Sequence, residues 1–166
     1  MRILGLFSGY GGLEDAVSAL TGGRVVAFVE NDPAASKVLA YHHPDVPNLG
    51  DVTKVNWSDW TGVEIVTAGF PCQGISNAGS RKGLEDERSG LWSYVVDCTR
   101  VVRPRFLFLE NVASIRRRGL DVVAGDLSAI GYDLRWVSVR ASVAVGAPHH
   151  RDRWFGLATP SDPDGA

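Results

Sequence analysis

Two cysteines occur in the 166-residue chain, and their settings differ. Cys72 sits in Gly69-Phe70-Pro71-Cys72-Gln73-Gly74, just after the apolar run Ile65 to Ala68. A loop cysteine beside proline has the access a nucleophile needs, and its reactivity rests on a lowered thiol pKa. Cys98, within Val95-Val96-Asp97-Cys98-Thr99, has helical surroundings and reads as core. A second segment is Glu110-Asn111-Val112, preceded by Phe106 to Leu109. Four apolar residues running into a carboxylate place Glu110 at a partly desolvated sheet edge, which suits a general acid. The plainer alternative is an acid at a helix N-terminus. A third segment, Phe7-Ser8-Gly9-Tyr10-Gly11-Gly12-Leu13-Glu14, follows the first strand-like run and opens a helix. Its glycines let the backbone turn tightly and approach a ligand, or simply make a structural turn. Glu30 closes the next run, 21 positions after Gly9, where a carboxylate can accept hydrogen bonds from a ribose diol. The spacing is Gly-x-Gly-Gly, with Glu14 where the dinucleotide fingerprint needs glycine. An acid at a helix N-terminus disfavours a pyrophosphate. S-adenosylmethionine, with a sulfonium cation and no phosphate, fits this turn better than NAD.

The elements that position these segments alternate. Arg2 to Leu6, Arg24 to Val29, Ile65 to Ala68 and Phe106 to Leu109 read as strands. Leu13 to Leu20, Pro33 to about Tyr41, Leu91 to Val102 and Leu120 to Ile130 read as helices. Asp32 is a good N-cap, with Pro33 at the first helical position. Asp133 to Val139 and Arg153 to Ala158 read as two closing strands with no helix between them. They are expected to pair antiparallel at the edge. The fold class expected is α/β: a doubly wound, mostly parallel, Rossmann-like sheet with helices on both faces. Ligands of such sheets lie at the carboxyl ends of the strands, so Gly9, Glu30 and Cys72 share one edge. Residues 1–158 are expected to form the catalytic and cofactor-binding domain, and residues 159–166 a flexible tail. The glycine- and charge-rich stretch Asn77 to Ser89, beside the nucleophile, reads as a mobile lid or an ordinary surface loop.

Composition sets the class. The chain is 45% hydrophobic and 22% charged, which is ordinary for a folded domain of 17.9 kDa. Two cysteines make no disulfide framework, and no apolar run approaches the ~18 residues a membrane span needs. The short run at the N-terminus lacks the long apolar core of a signal peptide. A cytoplasmic setting without membrane contact follows. A net charge of −2 excludes nucleic-acid binding by bulk charge and leaves room for a local basic groove. No lysine follows Lys82, yet 11 arginines lie from Arg88 to Arg153. Arginine reads phosphates and base edges bidentately, although genomic base composition explains the bias equally well.

Taken together and in order, these segments resemble the DNA (cytosine-5)-methyltransferase family. Phe7 to Glu14 is similar to the family's cofactor turn, and Glu30-Asn31-Asp32 to its ribose-binding segment. Gly50-Asp51-Val52-Thr53 is similar to the segment that meets adenine. Gly69-Phe70-Pro71-Cys72-Gln73 resembles the nucleophile motif, Gly74 to Leu91 the loop that closes over DNA, and Glu110-Asn111-Val112 the glutamate motif. Pro148 to Phe155 resembles the Gln-x-Arg-x-Arg segment, with His149 in place of glutamine.

The resemblance implies methyl transfer from S-adenosylmethionine to carbon 5 of cytosine in duplex DNA, as in restriction-modification systems. Cys72 would add to carbon 6 of a flipped-out cytosine while Glu110 protonates the ring nitrogen. Arg153 would contact the base carbonyl, with Arg151 in support. Phe7, Gly9, Gly11, Gly12, Glu30, Asn31, Asp51, Val52, Phe70, Pro71 and Leu91 would hold the cofactor. Gln73, Ser76, Arg81 and Arg88 would approach the DNA. No metal is implied.

The family's usual members continue into a target-recognition domain and a terminal helix, for which this sequence has no counterpart. Three expectations follow: a subunit of a split enzyme whose second chain supplies those parts, a minimal enzyme, or an inactive binding remnant. The same chemistry on tRNA is a close variant. A dinucleotide oxidoreductase would explain the βαβ pattern but needs neither Cys72 nor Glu110.

Overall fold

Alternation along β1 (Arg2–Leu6) sends Ile3 to one face of the sheet and Leu4 and Leu6 to the other, and all three are buried. The computed structural model describes residues 1–71 and 90–162, and of residue 118 only the backbone. After β1 come α1 (Gly12–Thr21), β2 (Arg24–Val29) and α2 (Pro33–His42). Asp32 caps α2 by accepting from the amides of Ala34 and Ala35. Two 3-10 turns, Val52–Lys54 and Trp57–Trp60, lead to β3 (Ile65–Ala68). The chain then forms α3 (Gly90–Val102), β4 (Phe106–Val112), α4 (Ile115–Arg118) and α5 (Leu120–Ala129). It closes with β5 (Tyr132–Arg140), α6 (Ala141–Ala144) and β6 (Asp152–Pro160).

The six strands form one sheet in the order β2-β1-β3-β4-β6-β5. The first four are parallel, while β6 pairs antiparallel with both β4 and β5. This is the mostly parallel α/β sheet with an antiparallel edge pair that the sequence predicts. One face, with Ile3, Phe28 and Ile65, shares a hydrophobic cluster with Val17 of α1 and Leu39 of α2. The other, with Leu4, Leu6, Val66, Leu107 and Leu109, is covered by apolar residues of α3 and α5 such as Val95, Cys98, Val123 and Leu127. Each such side chain taken fully out of water contributes roughly 1.5–3 kcal/mol, so both faces hold the sheet in register.

Three boundaries differ from the sequence expectation. β4 runs past Leu109 to Val112, because Glu110, Asn111 and Val112 pair with Phe155, Trp154 and Arg153 of β6. Glu110 is therefore a residue within a strand, not one just beyond its end and not at a helix N-terminus. The closing strands are joined through the short helix α6 instead of a helix-free turn. β6 extends to Pro160, so Thr159 and Pro160 pair with Asp133 and Tyr132 where a tail was expected. Ser161 is also anchored, its amide donating to the Gly131 carbonyl at 2.9 Å and its hydroxyl to Asp133 at 3.1 Å.

Candidate active site

The strand order turns at β1, which has β2 on one side and β3 on the other. In open α/β sheets the crevice beyond the carboxyl ends of the strands at such a point is where ligands sit. Phe7 to Gly12 follows β1 there, and Gly69 to Pro71 follows β3. Phe7 adopts φ +54°, uncommon for a bulky residue, and its amide donates to the Val29 carbonyl at 2.9 Å. Strained backbone of this kind concentrates at functional sites. Gly9 also has φ +54°, and a Cβ at Gly9 or Gly12 would meet no atom within 4 Å. Both glycines thus offer bare backbone to open space. A Cβ on Gly69, by contrast, would lie 3.3 Å from the Phe7 carbonyl oxygen and 3.8 Å from Oε2 of Glu110. That close approach brings the β1 turn and the β4 carboxylate into one cleft.

The cleft has a volume of about 520 Å³. Phe7, Gly9, Gly12, Glu110, Arg151 and Arg153, all foreseen from the sequence, line it together with Gly69, Tyr10 and Phe155. Glu110 and Arg153 lie diagonally on one face of the β4–β6 pair, as the partners Glu110↔Phe155 and Val112↔Arg153 require. Arg153 Nε and Oε1 of Glu110 form an ion pair at 2.6 Å, and both side chains are largely but not fully buried. Arg140 and Asp152 anchor the start of β6 through two hydrogen bonds, 2.8 and 3.2 Å, which fixes the strand that bears Arg153.

The other foreseen residues that the structure describes do not line this cleft. Glu30 accepts from the Gly9 amide at 2.7 Å and from the Asp32 amide at 2.8 Å, so it braces the glycine turn from β2. Asn48, not singled out from the sequence, joins Glu30 to the next segment: its Oδ1 accepts from the amides of Glu30 and Gly50. Asp51 follows, and two hydrogen bonds from Thr53 hold its carboxyl below the usual carboxylate range. Asn31 is exposed. Val52, Phe70, Phe7 and Leu91 belong to one hydrophobic cluster, in which the Phe70 and Trp92 ring centroids lie 4.8 Å apart. Gly11 precedes α1 with φ +85°. Pro71 is exposed at the last described position before the gap. Its carbonyl neighbour on the other side, Phe70, accepts from Nδ2 of the buried Asn111 at 2.8 Å. The Glu110-Asn111 pair therefore serves both sides of β4, one toward the cleft and one toward the chain leading to Cys72. Cys72, Gln73, Ser76, Arg81 and Arg88, and the proposed lid, lie outside the described residues.

One residue was read differently from the sequence. Glu14, taken as an acid facing a helix N-terminus, is completely buried beneath the turn. Its Oε1 accepts from Thr67 Oγ1 of β3 at 2.8 Å, and burial pushes its carboxyl pKa up to about 7. A glycine inside β1 (Gly5) and a hydroxyl inside the apolar β3 (Thr67) were the sequence signals of this pocket.

A glycine turn and a charged pair meeting at a topological switch point define an α/β domain built to bind a nucleoside-type cofactor beside a polar reaction site. Residues 1–164 match the C-5 cytosine-specific DNA methylase family, and the chain belongs to it. It is 42% identical over 163 residues to the Type II methyltransferase M.CviJI of Paramecium bursaria Chlorella virus IL3A, covering 97% of this chain and 44% of that protein. It is 30% identical over 166 residues to the Type II methyltransferase M.HhaI of Haemophilus parahaemolyticus, covering 98% of this chain and 50% of that one. Among solved structures, the S. pombe Dnmt2 methyltransferase superposes with a TM-score of 0.79 at 23% identity, over 98% of this chain and 51% of its own. The Spodoptera frugiperda DNMT2 mutant gives 0.79 at 21% identity, over 97% and 50%. The fold is thus that of these enzymes, and the chain spans about half the length of these relatives. Among the described residues no group of side chains is arranged to hold a metal ion, and no helix is long and apolar enough to cross a membrane.

Proposed function

We propose that the chain is the catalytic part of a DNA (cytosine-5)-methyltransferase that uses S-adenosylmethionine and works through a covalent Cys72 adduct. The observation that carries this reading is the Glu110–Arg153 pair, 2.6 Å apart in the same cleft as the glycine turn. The described residues fit the cofactor. Gly9 and Gly12 leave room for close backbone approach, Glu30 beside the glycine turn would meet a ribose diol, and Asp51 is held as a carboxylate. Val52, Phe70 and Leu91 supply an apolar side for a base. When bound, the cofactor supplies an electrophilic methyl group on a sulfonium.

In this proposal the residues divide the work on a cytosine that has left the duplex. Cys72 adds as thiolate to carbon 6. Glu110 places a proton on the ring nitrogen, so the electrons moved by the addition are accommodated there and carbon 5 becomes nucleophilic. Arg153 orients Glu110 and hydrogen-bonds the base carbonyl, and Arg151 adds positive charge to the same wall. With the cofactor bound, its methyl group would pass to carbon 5 as the sulfonium becomes a neutral thioether; the carbon-5 proton would then leave to solvent and the Cys72–carbon bond would break to restore the aromatic ring. Gln73, Ser76, Arg81 and Arg88 approach the DNA, where phosphate contacts set register without reading sequence. Sequence readout belongs, in this proposal, to a target-recognition domain beyond these 166 residues, in a cytoplasmic setting.

The test is incubation with methyl-labelled S-adenosylmethionine and duplex DNA, with the chain alone and with a polypeptide carrying such a domain. Label at carbon 5 of cytosine supports the proposal. A duplex containing 5-fluorocytosine forms a stable adduct with the chain and none with Cys72→Ser. Absence of both label and adduct under all these conditions rejects the proposal. Label in tRNA with none in DNA would move the same chemistry to RNA.

A further inference from the structure

The carboxyl group of Glu14 belongs to no step above, yet its surroundings are specific. It lies on the sheet face shared by Gly5 of β1 and Thr67 of β3, beneath the turn that follows β1. Gly5 leaves the room for it. A Cβ there would come within 2.5 Å of Glu14 Oε1 and 2.6 Å of Ser8 Oγ, so the acid and the turn hydroxyl crowd the same spot. Oε1 is held by Thr67, while Oε2 is buried and has no hydrogen-bond partner among the described residues. Ser8 itself is buried, and its carbonyl accepts from the Gly11 amide at 2.8 Å, which closes the glycine turn.

We infer that Glu14 is a positioning residue for the cofactor turn, its buried carboxyl filling the space under Ser8 and joining that turn to the strand that leads to Cys72. The inference rests on the proposed cofactor reading of the cleft. An ionised carboxylate at this spot has only the hydroxyls of Thr67 and Ser8 as side-chain donors and no contact with water. Relief requires water to enter between α1 and β1, which displaces Ser8 and Gly9 from the position that lines the cleft.

The charged groups on the elements packed around Glu14 are few. On α1 there is Asp15, exposed and 3.4 Å from His43, and its charge opposes ionisation of Glu14. On β1 there is Arg2 at the opposite end. Next to β2 there is Glu30, occupied by two backbone amides. Beside β3 there is Glu64, tied to the chain's N-terminus. Across the cleft stand Glu110, paired with Arg153, and Arg151. None offers Glu14 a direct cationic partner among the described residues, and burial accordingly leads the causes that raise its carboxyl to about 7.

The test reads the turn with and without cofactor. In the ligand-free chain, the amide resonances of Ser8, Gly9 and Gly11 are followed by NMR from pH 5.5 to 8.5. They are expected to titrate together with a midpoint near 7, to be flat in Glu14→Gln, and to titrate at higher pH in Thr67→Val, which removes a bond that favours the charged form. Calorimetry with S-adenosylmethionine is expected to show the Kd of the unaltered chain weakening by about tenfold per pH unit above the midpoint, a slope Glu14→Gln lacks. Turn resonances that ignore pH in the unaltered chain, or that titrate equally in Glu14→Gln, overturn the inference. If Glu14→Gln does not fold, the unaltered chain and Thr67→Val decide between the same outcomes. Failure of cofactor binding at every pH rejects the proposed function, while the NMR titration still decides the role of Glu14.

Discussion

Arg153 on β6 holds Glu110 on β4 at 2.6 Å, and the contact exists only because the two strands run antiparallel with Val112 opposite Arg153. The guanidinium holds the carboxylate in place by charge at short range. Arg153→Ala is expected to lower methyl transfer by about 100-fold while costing about 1 kcal/mol or less of stability, because the pair is partly solvated. Arg153→Lys keeps the charge but not the fork and is expected to fall between. Single-turnover methylation alongside thermal denaturation separates the two effects. A loss of activity that tracks a loss of fold would assign Arg153 to structure alone.

Asn111 faces the other side of β4 and donates to the Phe70 carbonyl at 2.8 Å. Asn111→Leu leaves that buried carbonyl without this donor, at a cost of roughly 1–3 kcal/mol in urea denaturation. The chain leading to Cys72 loses its tether, so adduct formation with 5-fluorocytosine DNA is expected to slow more than cofactor binding weakens. Equal losses in both would mean that Asn111 does not serve the Cys72 segment in particular.

Much of this arrangement was legible in the sequence where local chemistry decides it. Arg2 to Leu6, Arg24 to Val29 and Ile65 to Ala68 have the bounds the residues predict, since apolar β-branched runs ended by glycine or a polar turn leave little choice. The continuation of β4 through Val112 was not legible, because its cause is pairing with β6 some 40 residues later, a tertiary effect. The same pairing carries β6 over Thr159 and Pro160. Glu14 was visible only as an acid in a first helical turn. Its burial depends on Gly5 and Thr67, which face it from two different strands. The glycine turn and the two acids Glu30 and Glu110 were placed by sequence at the correct edge. Their bracing by Asn48 and Arg153 depends on tertiary pairing that local sequence does not encode.

Glu14 also sets a direction for stability against pH. Its carboxyl is raised from 4.5 to about 7 by burial, so the folded state binds this proton more tightly than the unfolded chain. Its contribution is fully present below pH 4.5 and is lost as pH climbs to about 7, to the extent of about 3 kcal/mol at most. The urea midpoint of the unaltered chain relative to Glu14→Gln is therefore expected to fall between pH 5 and pH 8. A difference that is constant over this range, or that rises, contradicts the assignment.

The two thiols are expected to differ in reactivity. Cys98 on α3 is fully buried, and burial alone pushes its thiol well above the usual cysteine range. At pH 7.5 almost none of it is thiolate, and no reagent reaches it without unfolding. Cys72 as the proposed nucleophile must react in the folded state. Iodoacetamide is expected to label one thiol per native chain and two in denaturant, with Cys72→Ser unlabelled until it unfolds. The native rate at Cys98 should be at least about a thousandfold below that at Cys72, in proportion to thiolate and access. Mass spectrometry of the labelled peptides distinguishes the sites, and prompt native labelling of Cys98 would refute the assignment of that residue to the core.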